Sequence, residues 1–528
     1  MYTTKCNQHT LPPNLCYVLK LKNYYRHRYQ RSHLPLFHYL FQLFTQIFST
    51  HLIRLCNFKW SSFSDSLHTW TNQLWKVAHY FTKSPSSIPP HPNSPGCASL
   101  PHPTQAEVLA QQFECSHYLT LNMGTPHYTT TITRFVDRFF CIATPHTSPL
   151  QLTNIYEVKW KIFSMKLRSA PGNDRITPLM LCRLSRKTLT HLTHLFNHLL
   201  RLGYFPTCWK KAKVVPVPKP NKPGTDPNSY RPFSLLITLR KLFECIIAVR
   251  LTSFVNLQHL LPHAQFGFHK KHSTVCQLAR ITDYISNGYN LHKHTGMVLL
   301  DLEKAYSTVW IHGLHYKLIF FKLPTYLLFI LKAFLEGHSF TVHLHEMPSS
   351  PRGLPQGVVL STTLFALYIS DMPHPPNMQL VLYADDTAIL TQSWRTDTIL
   401  HRLTHATCVL VCYFTSWKIQ VNIHKTEAIL FTRRRPVPPA PLHFQHTVIP
   451  WNAQVQYLGL LLDPKLLFTR HITSITQKAT GIFLQIFPLL ARDSTLSIPN
   501  EITLYKLLIR SMLTYAAPVW SNTSSNYR

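Results

Sequence analysis

The spacing of apolar residues predicts helices in some stretches of this chain and strands in others. Phe37, Leu40, Phe41 and Phe44 recur at steps of three and four, which is one face of a helix. Leu239, Leu242, Phe243, Ile246 and Ile247 form a second stripe within a helix predicted over Ser234–Phe254. Pro232 suits its entrance, and Arg240, Lys241 and Glu244 are assigned to its polar side. Unbroken apolar runs predict buried strands at Met297–Asp301 (MVLLD) and Gln379–Tyr383 (QLVLY). Thr387–Leu390 (TAIL) follows directly after Ala384-Asp385-Asp386, so this region reads as strand, tight turn, strand. A further helix is expected at Ser361–Ile369. Residues 1–83 read as a basic, helical segment with clusters such as YYRHRYQR at Tyr24–Arg31. Residues 84–110 read as a linker, because seven prolines from Pro85 to Pro103 fix φ and remove backbone donors.

Composition narrows the class. A chain of 528 residues has room for two to four domains, and 45% apolar residues exclude wholesale disorder. No apolar run approaches the roughly 18 residues of a membrane span, and the start lacks the apolar core of a signal peptide. An intracellular, non-membrane protein is expected. The 12 cysteines form no C-x-x-C pair and read as free thiols. Lys plus Arg total 53 against 21 Asp plus Glu, a formal charge of +32. So large an excess of cations repels itself and favours a polyanionic partner.

Acids are scarce, so their placement is informative. The single Asp-Asp pair, Asp385 and Asp386, sits at a hairpin tip, and Asp301 lies where another buried strand runs out. Adjacent carboxylates repel, and an apolar setting deprives each of hydration, so the cluster calls for a cation. Mg²⁺ suits it, taking oxygen ligands and keeping waters for a phosphate to replace. Two such ions would activate a 3′-hydroxyl and stabilise a leaving pyrophosphate. The alternative is an ordinary polar turn and a strand-end residue.

The surrounding residues resemble a known family. Tyr383-Ala384-Asp385-Asp386 is similar to the Y-x-D-D signature of reverse transcriptases, and DLEKAYSTVW from Asp301 to Trp310 resembles the first catalytic motif of non-LTR retrotransposon polymerases. Gly353-Leu354-Pro355-Gln356-Gly357, continuing to Leu367-Tyr368-Ile369, resembles the motif between them. The order is the family's, with Asp301 and Asp385 separated by 84 positions. Ala170–Asp174 (APGND), Ser229-Tyr230-Arg231-Pro232, Gln265–Phe268 with His272–Thr274, Trp417–Ile419 with Lys425, and Tyr457-Leu458-Gly459 resemble further segments of jockey-like LINE polymerases. The likeness covers about residues 15–521.

This resemblance implies an α+β right-hand polymerase: fingers, a palm on an antiparallel sheet, and a helical thumb, preceded by a helical connector. The chain then divides into a connector (1–83), a linker (84–110), a helical entry to the fingers (111–198), fingers and palm (199–463) and a thumb (464–528). The implied activity is RNA-directed DNA synthesis from dNTPs onto a primer 3′-hydroxyl. An RNA template, a DNA primer or target, two Mg²⁺ ions with Mn²⁺ as substitute, and action in the nucleus follow from the family. Asp301, Asp385, Asp386 and the main-chain oxygen of Leu302 would hold the metals. Tyr306 would be the steric gate against a 2′-hydroxyl, the alternative being a core aromatic. Lys219 and Arg231 would grip the triphosphate, the alternative being solvated cations. Gln356, in a loop kept open by Gly353 and Gly357, would lie near nucleotide and template, with Tyr383 at the template–primer. Lys425 would protonate pyrophosphate, the alternative being a surface lysine. About eight phosphate contacts would make log K fall with log salt at a slope near −7.

Several positions depart from the family pattern. Ser307 stands where these elements carry Asp, His269 for Arg, Arg175 for Gly and Val358 for Ser, and residues 1–83 hold one carboxylate, Asp65. The rival expectation is therefore a catalytically decayed remnant that binds nucleic acid without turnover. No endonuclease or RNase H segment is recognised, so the polymerase portion of a longer element is expected, its oligomeric state open. The reading stands only if Asp301 comes within about a dozen ångströms of Asp385 and Asp386, the reach of two bridged cations.

Overall fold

The computed structural model describes residues 12–65, 73–82, 102–118, 126–144, 149–219, 226–267, 272–302, 305–306, 308–344, 347–348, 359–434, 440–444, 447–491, 494 and 496–521. They group into two compact units: Met1–Ser86 with Ile472–Tyr515, and Ser87–His471 with Ala516–Arg528.

In the first unit α1 (Pro13–Ser32) packs along α2 (Pro35–Asp65) across a short turn at His33, whose φ of 52° ends α1. The apolar stripe of α2 meets α1: Tyr25 stacks on Phe44 at 5.4 Å and on Phe37 at 6.5 Å. A third helix, α3 (Gln73–Thr82), buries Leu74 and Ala78 against Leu489, Leu496 and Leu504. The segments expected as connector and thumb thus share one core, although about 400 positions separate them.

The second unit opens with α4 (His102–Tyr118), α5 (Pro126–Ile142), α6 (Ile155–Ser164), α7 (Pro178–Cys182) and α8 (Arg186–Leu202). Residues 102–110, grouped above with the linker, are the first half of α4; the proline-dense stretch before them lies outside the described residues. Local chemistry sets the ends of α8: the Ser185 hydroxyl accepts the Thr188 N–H at 3.2 Å, and Gly203 (φ 59°) stops it.

Strands β1 (Lys211–Pro218) and β2 (Tyr230–Leu235) pair antiparallel, and α9 (Thr238–Leu257) and α10 (Thr274–Asn290) follow. The helix expected from Ser234 therefore starts four residues later, because Ser234 and Leu235 complete a ladder with Val214 and Lys213. A second correction concerns its polar side. Arg240 and Glu244 are fully buried, not solvated. They pair at 2.6 Å, Arg240 donates to the Trp209 carbonyl, and its guanidinium lies 5.7 Å from the Phe205 and Phe334 rings. An ion pair with these added partners survives where a lone charge would not.

Next come β3 (His294–Asp301), α11 (Ile311–Phe320), α12 (Thr325–Leu335), β4 (Ser339–Leu344) and β5 (Met347–Pro348). They precede α13 (Ser361–Tyr368), β6 (Met378–Tyr383), β7 (Asp386–Ser393), α14 (Thr396–Ser416) and β8 (Glu427–Phe431). Two small hairpins, β9 (Leu442–Phe444) with β10 (Thr447–Ile449) and β11 (Val455–Tyr457) with β12 (Leu460–Leu462), lead to α15 (Thr469–Leu490) and α16 (Ile498–Leu504).

The architecture is α+β. One four-stranded sheet, ordered β6-β7-β3-β8, is antiparallel throughout. The other, β2-β1-β4-β5, contains a parallel pair, β1 with β4. Strand β3 is apolar on both faces because helices cover it: Met297 and Val298 are fully buried, and α14 presses so closely that a Cβ at Gly296 would sit 2.3 Å from the Ile399 Cγ2. Among the described residues no helix is long and apolar enough to cross a membrane, and the described cysteines are free thiols.

Candidate active site

The β6–β7 hairpin and strand β3 position the carboxylates. Tyr383 pairs with Asp386 across a two-residue turn, and Asp386 pairs on its other side with Asp301. Paired residues on antiparallel strands have Cα atoms about 5 Å apart, well inside the dozen ångströms required. The turn places Ala384 in the left-handed region (φ 58°), which primed hairpin turns demand at their first central residue.

A second segment braces this tip. The Phe266 N–H donates to the Leu382 carbonyl at 2.9 Å, and the Leu382 N–H to the Ala264 carbonyl at 3.0 Å. The buried Gln265 Oε1 accepts from the N–H groups of Gly267 (3.0 Å) and Ala384 (3.3 Å), and Gln277 Nε2 donates to the Leu382 carbonyl at 3.3 Å. Gly267 touches the turn: a Cβ there would lie 2.3 Å from the Ala384 nitrogen. The sequence flagged Gln265–Phe268 by resemblance but gave it no task, and Gln277 carried no signal.

Asp385 and Asp386 open to solvent on one side, while the walls of the site remove part of their hydration. That loss, then the charges of Asp385 and Asp301, pushes Asp386 up to about 6. Asp385 is raised for the same first reason, with Asp301 adding to it. Asp301 is partly neutralised by Lys425, whose Nζ lies 3.0 Å from its Oδ2, and its carbonyl accepts the Asn422 N–H at 2.8 Å. Leu302 bridges to Val421 directly afterwards. Alongside runs a cavity of about 140 Å³ whose lining includes Asp301, Asp386, Lys425, Glu427, Tyr457 and Leu458. Tyr457 and Leu458, noted in the sequence only as part of a family-like segment, are thus walls of the site. The turn itself has Leu458 (φ 45°) and Gly459 (φ 82°) both left-handed, as a two-residue primed hairpin requires.

Tyr306 is half-buried, 5.0 Å from the Phe365 ring, and burial followed by the charges of Asp385 and Asp386 raises its hydroxyl pKa. Lys219 and Arg231 come together at one end of the β1–β2 ladder, on the other sheet: the Lys219 N–H donates to the Ser229 carbonyl at 2.7 Å, and Arg231 faces Val217. Gly353, Gln356 and Gly357 lie outside the described residues, as do Ser307, His269 and Val358. Arg175 does occupy a left-handed position (φ 56°), as expected where the family carries glycine.

The donors around the tip are hard oxygens in mutual repulsion, the chemistry a divalent cation relieves. They fit such an ion by type. Among the described residues, however, no three His, Cys, Asp or Glu side chains are grouped as a ready metal cage, and Lys425 is the cation nearest Asp301.

Fold and site together define an α+β protein with two acids at a β-hairpin tip and a third on the neighbouring strand. Residues 217–462 match the family model described as "Reverse transcriptase (RNA-dependent DNA polymerase)". The probable RNA-directed DNA polymerase from transposon X-element of Drosophila melanogaster is 34% identical over 373 residues, 69% of this chain and 41% of the relative. The RNA-directed DNA polymerase from mobile element jockey of the same species is 29% identical over 538 residues, 98% of this chain and 57% of the relative. That from transposon BS is 32% identical over 72% of this chain and 43% of the relative. The chain belongs to the reverse transcriptase family, among those of non-LTR retrotransposons. It spans about half the length of the curated relatives it matches. Divalent metal ions are general to this family.

Proposed function

We propose that this chain is the RNA-directed DNA polymerase portion of a jockey-like retrotransposon, extending a primer 3′-hydroxyl with dNTPs on an RNA template. The observation that carries the reading is the ladder itself: two acids 85 positions apart, Asp301 and Asp386, are direct neighbours, with Asp385 beside them. The antiparallel sheet is then the palm, the β1–β2 sheet with its preceding helices the fingers, and the helices from Thr469 onward the thumb.

Asp301, Asp385, Asp386 and the Leu302 main-chain oxygen would hold two Mg²⁺ ions, with Mn²⁺ as substitute; bound there, the ions would activate the 3′-hydroxyl and neutralise the leaving pyrophosphate. Tyr306, whose hydroxyl feels the charges of both hairpin carboxylates, would be the gate under the sugar. Lys219 and Arg231 share one edge and supply a mobile charge and a planar fork to a triphosphate. Lys425, held by Asp301 and otherwise exposed, is a proton donor within reach of the cluster. Tyr383 adjoins the tip and would contact the template–primer, and Gly353, Gln356 and Gly357, outside the described residues, would serve nucleotide and template. Nuclear action accords with the family.

A decayed nucleic-acid-binding remnant is not favoured, because all three acids are present and adjacent. Primer extension on an RNA template with Mg²⁺ or Mn²⁺ tests the proposal. The wild-type chain should yield product and Asp385→Asn at least about 100-fold less; no product from either would sink it.

A further inference from the structure

We propose that the outward face of α1 binds the phosphate backbone of a nucleic-acid duplex. Helices α1 and α2 carry seven Lys and Arg side chains and one acid, Asp65; five of the seven lie on α1, which has no acid at all. The inward side of α1 is marked by Tyr25, stacked on Phe44, and Tyr29, 4.7 Å from the His38 ring. Opposite them Lys20, Tyr24, His27 and Arg31 fall at i, i+4, i+7 and i+11. They form one exposed stripe, with exposed Arg28 at its edge.

Such a stripe works against its own helix. Lys22 with Arg26 and Arg28 with Arg31 are like-charge neighbours at four- and three-residue spacing, and α1 offers no carboxylate to offset them. A bound polyanion removes that repulsion. Two of the cations are also held in place by rings. Lys22 Nζ lies 5.3 Å from the Phe48 centroid, and the Arg28 guanidinium lies 5.6 Å and 5.7 Å from Tyr24 and Phe37 while its Nε–H donates to the Tyr24 hydroxyl at 3.2 Å. A guanidinium so oriented loses little freedom when it grips phosphate.

The duplex, rather than a single strand, follows from two features. Tyr25 is engaged on Phe44 and Tyr24 lies under Arg28; Tyr17 is exposed, but cations outnumber rings along this face, so it offers charge more than a stacking platform. From Lys20 to Arg31 the helix rises about 16 Å, a length over which a duplex carries roughly ten phosphates and one of its strands half that number. The contact reads charge and not sequence. It rests on the nucleic-acid reading above and gives helices remote in sequence from the carboxylates a part in holding duplex substrate.

The experiment uses the full chain. Fluorescence anisotropy measures its affinity for a mixed-sequence 30-base-pair DNA duplex, and separately for a single-stranded RNA of that length, across a range of KCl concentrations. The variant Lys20→Gln/Arg28→Gln/Arg31→Gln keeps helix-forming residues, and circular dichroism checks that it folds. Expected are at least tenfold weaker duplex binding near 0.1 M salt and a log–log salt slope shallower by about 2 to 3, near 0.9 per lost contact. The charge-conserving variant Lys20→Arg/Arg28→Lys/Arg31→Lys should keep most of the wild-type slope. Unchanged duplex affinity and slope in the glutamine variant overturn the proposal, as does a loss confined to single-stranded RNA. Extension of a saturating short hybrid is run in parallel. If the wild type extends primers and the duplex slope does not change, the α1 inference alone fails; if the slope changes and nothing is extended, the polymerase reading fails and the α1 face stands.

Discussion

Replacing Gly267 with alanine isolates the bracing of the carboxylate hairpin. The added Cβ would lie 2.3 Å from the Ala384 nitrogen, 3.0 Å from the Tyr383 carbonyl carbon and 3.1 Å from the Ala384 Cα, all main-chain atoms that cannot rotate away. Ordinary contact begins near 3.4 Å. Something must therefore retreat by roughly 1 Å, since carbon and nitrogen do not overlap by that much. The 264–267 segment is tied by the bonds between Phe266 and Leu382 and between Leu382 and Ala264, so the two turn residues, Ala384 and Asp385, are what yield, shifting Asp385 relative to the ladder-paired Asp386. Overpacking of this kind costs about 1–3 kcal/mol of stability, which a chain of this size tolerates. A displacement of about 1 Å at reacting groups costs about 100-fold in rate. Single-nucleotide incorporation at saturating dNTP should therefore fall by about that factor in Gly267→Ala, while the urea midpoint drops only modestly. Ala384→Gly, which relieves the left-handed residue without touching the contact, should incorporate at close to the wild-type rate. Incorporation by Gly267→Ala within two- to threefold of wild type would show that the hairpin is not braced there, and the argument would fail.

Other outcomes follow from single positions. Arg175 holds φ 56° without a glycine. Arg175→Gly should stabilise by about 0.5–1 kcal/mol in denaturant unfolding, the relief of left-handed strain less the entropy glycine adds to the unfolded chain. Glu244→Gln should destabilise by about 3–5 kcal/mol because Arg240 is left buried without its partner, whereas a joint change to Arg240→Met/Glu244→Leu should cost clearly less, in a double-mutant cycle. His315 is buried against Phe140, and that burial, followed by the charges of His312 and Lys332, holds its pKa down at about 3. The unfolded chain then takes up a proton that the folded one refuses. Stability should fall by about 1.4 kcal/mol per pH unit as pH drops below about 6.5 toward 3, and His315→Leu should remove that slope. His338, kept near 4 by burial and by Arg240, will leave a residual slope in the same direction.

What the sequence determined by itself is local. The strands at 297–301, 379–383 and 387–390 and the turn between the last two were legible because apolar runs and an acidic turn are short-range signals. The order of motifs then pointed to the acids and to an α+β class. Only the tertiary structure decided which strands are neighbours: Asp301 meets Asp386 because β3 lies between β7 and β8, and no local pattern encodes a pairing across 85 positions. It also decided how many faces of a helix are covered. Periodicity set Arg240 and Glu244 off the apolar stripe, whereas Trp209, Phe205 and Phe334 close over them from distant segments. Tyr457 becoming a wall of the site, Gly267 pressing on the hairpin, and α3 sharing a core with residues 489–504 have the same origin. An amphipathic or glycine-bearing segment declares that it needs a partner, and chain-distant packing chooses which one, because burial rewards any complementary apolar surface and only the assembled fold selects among them.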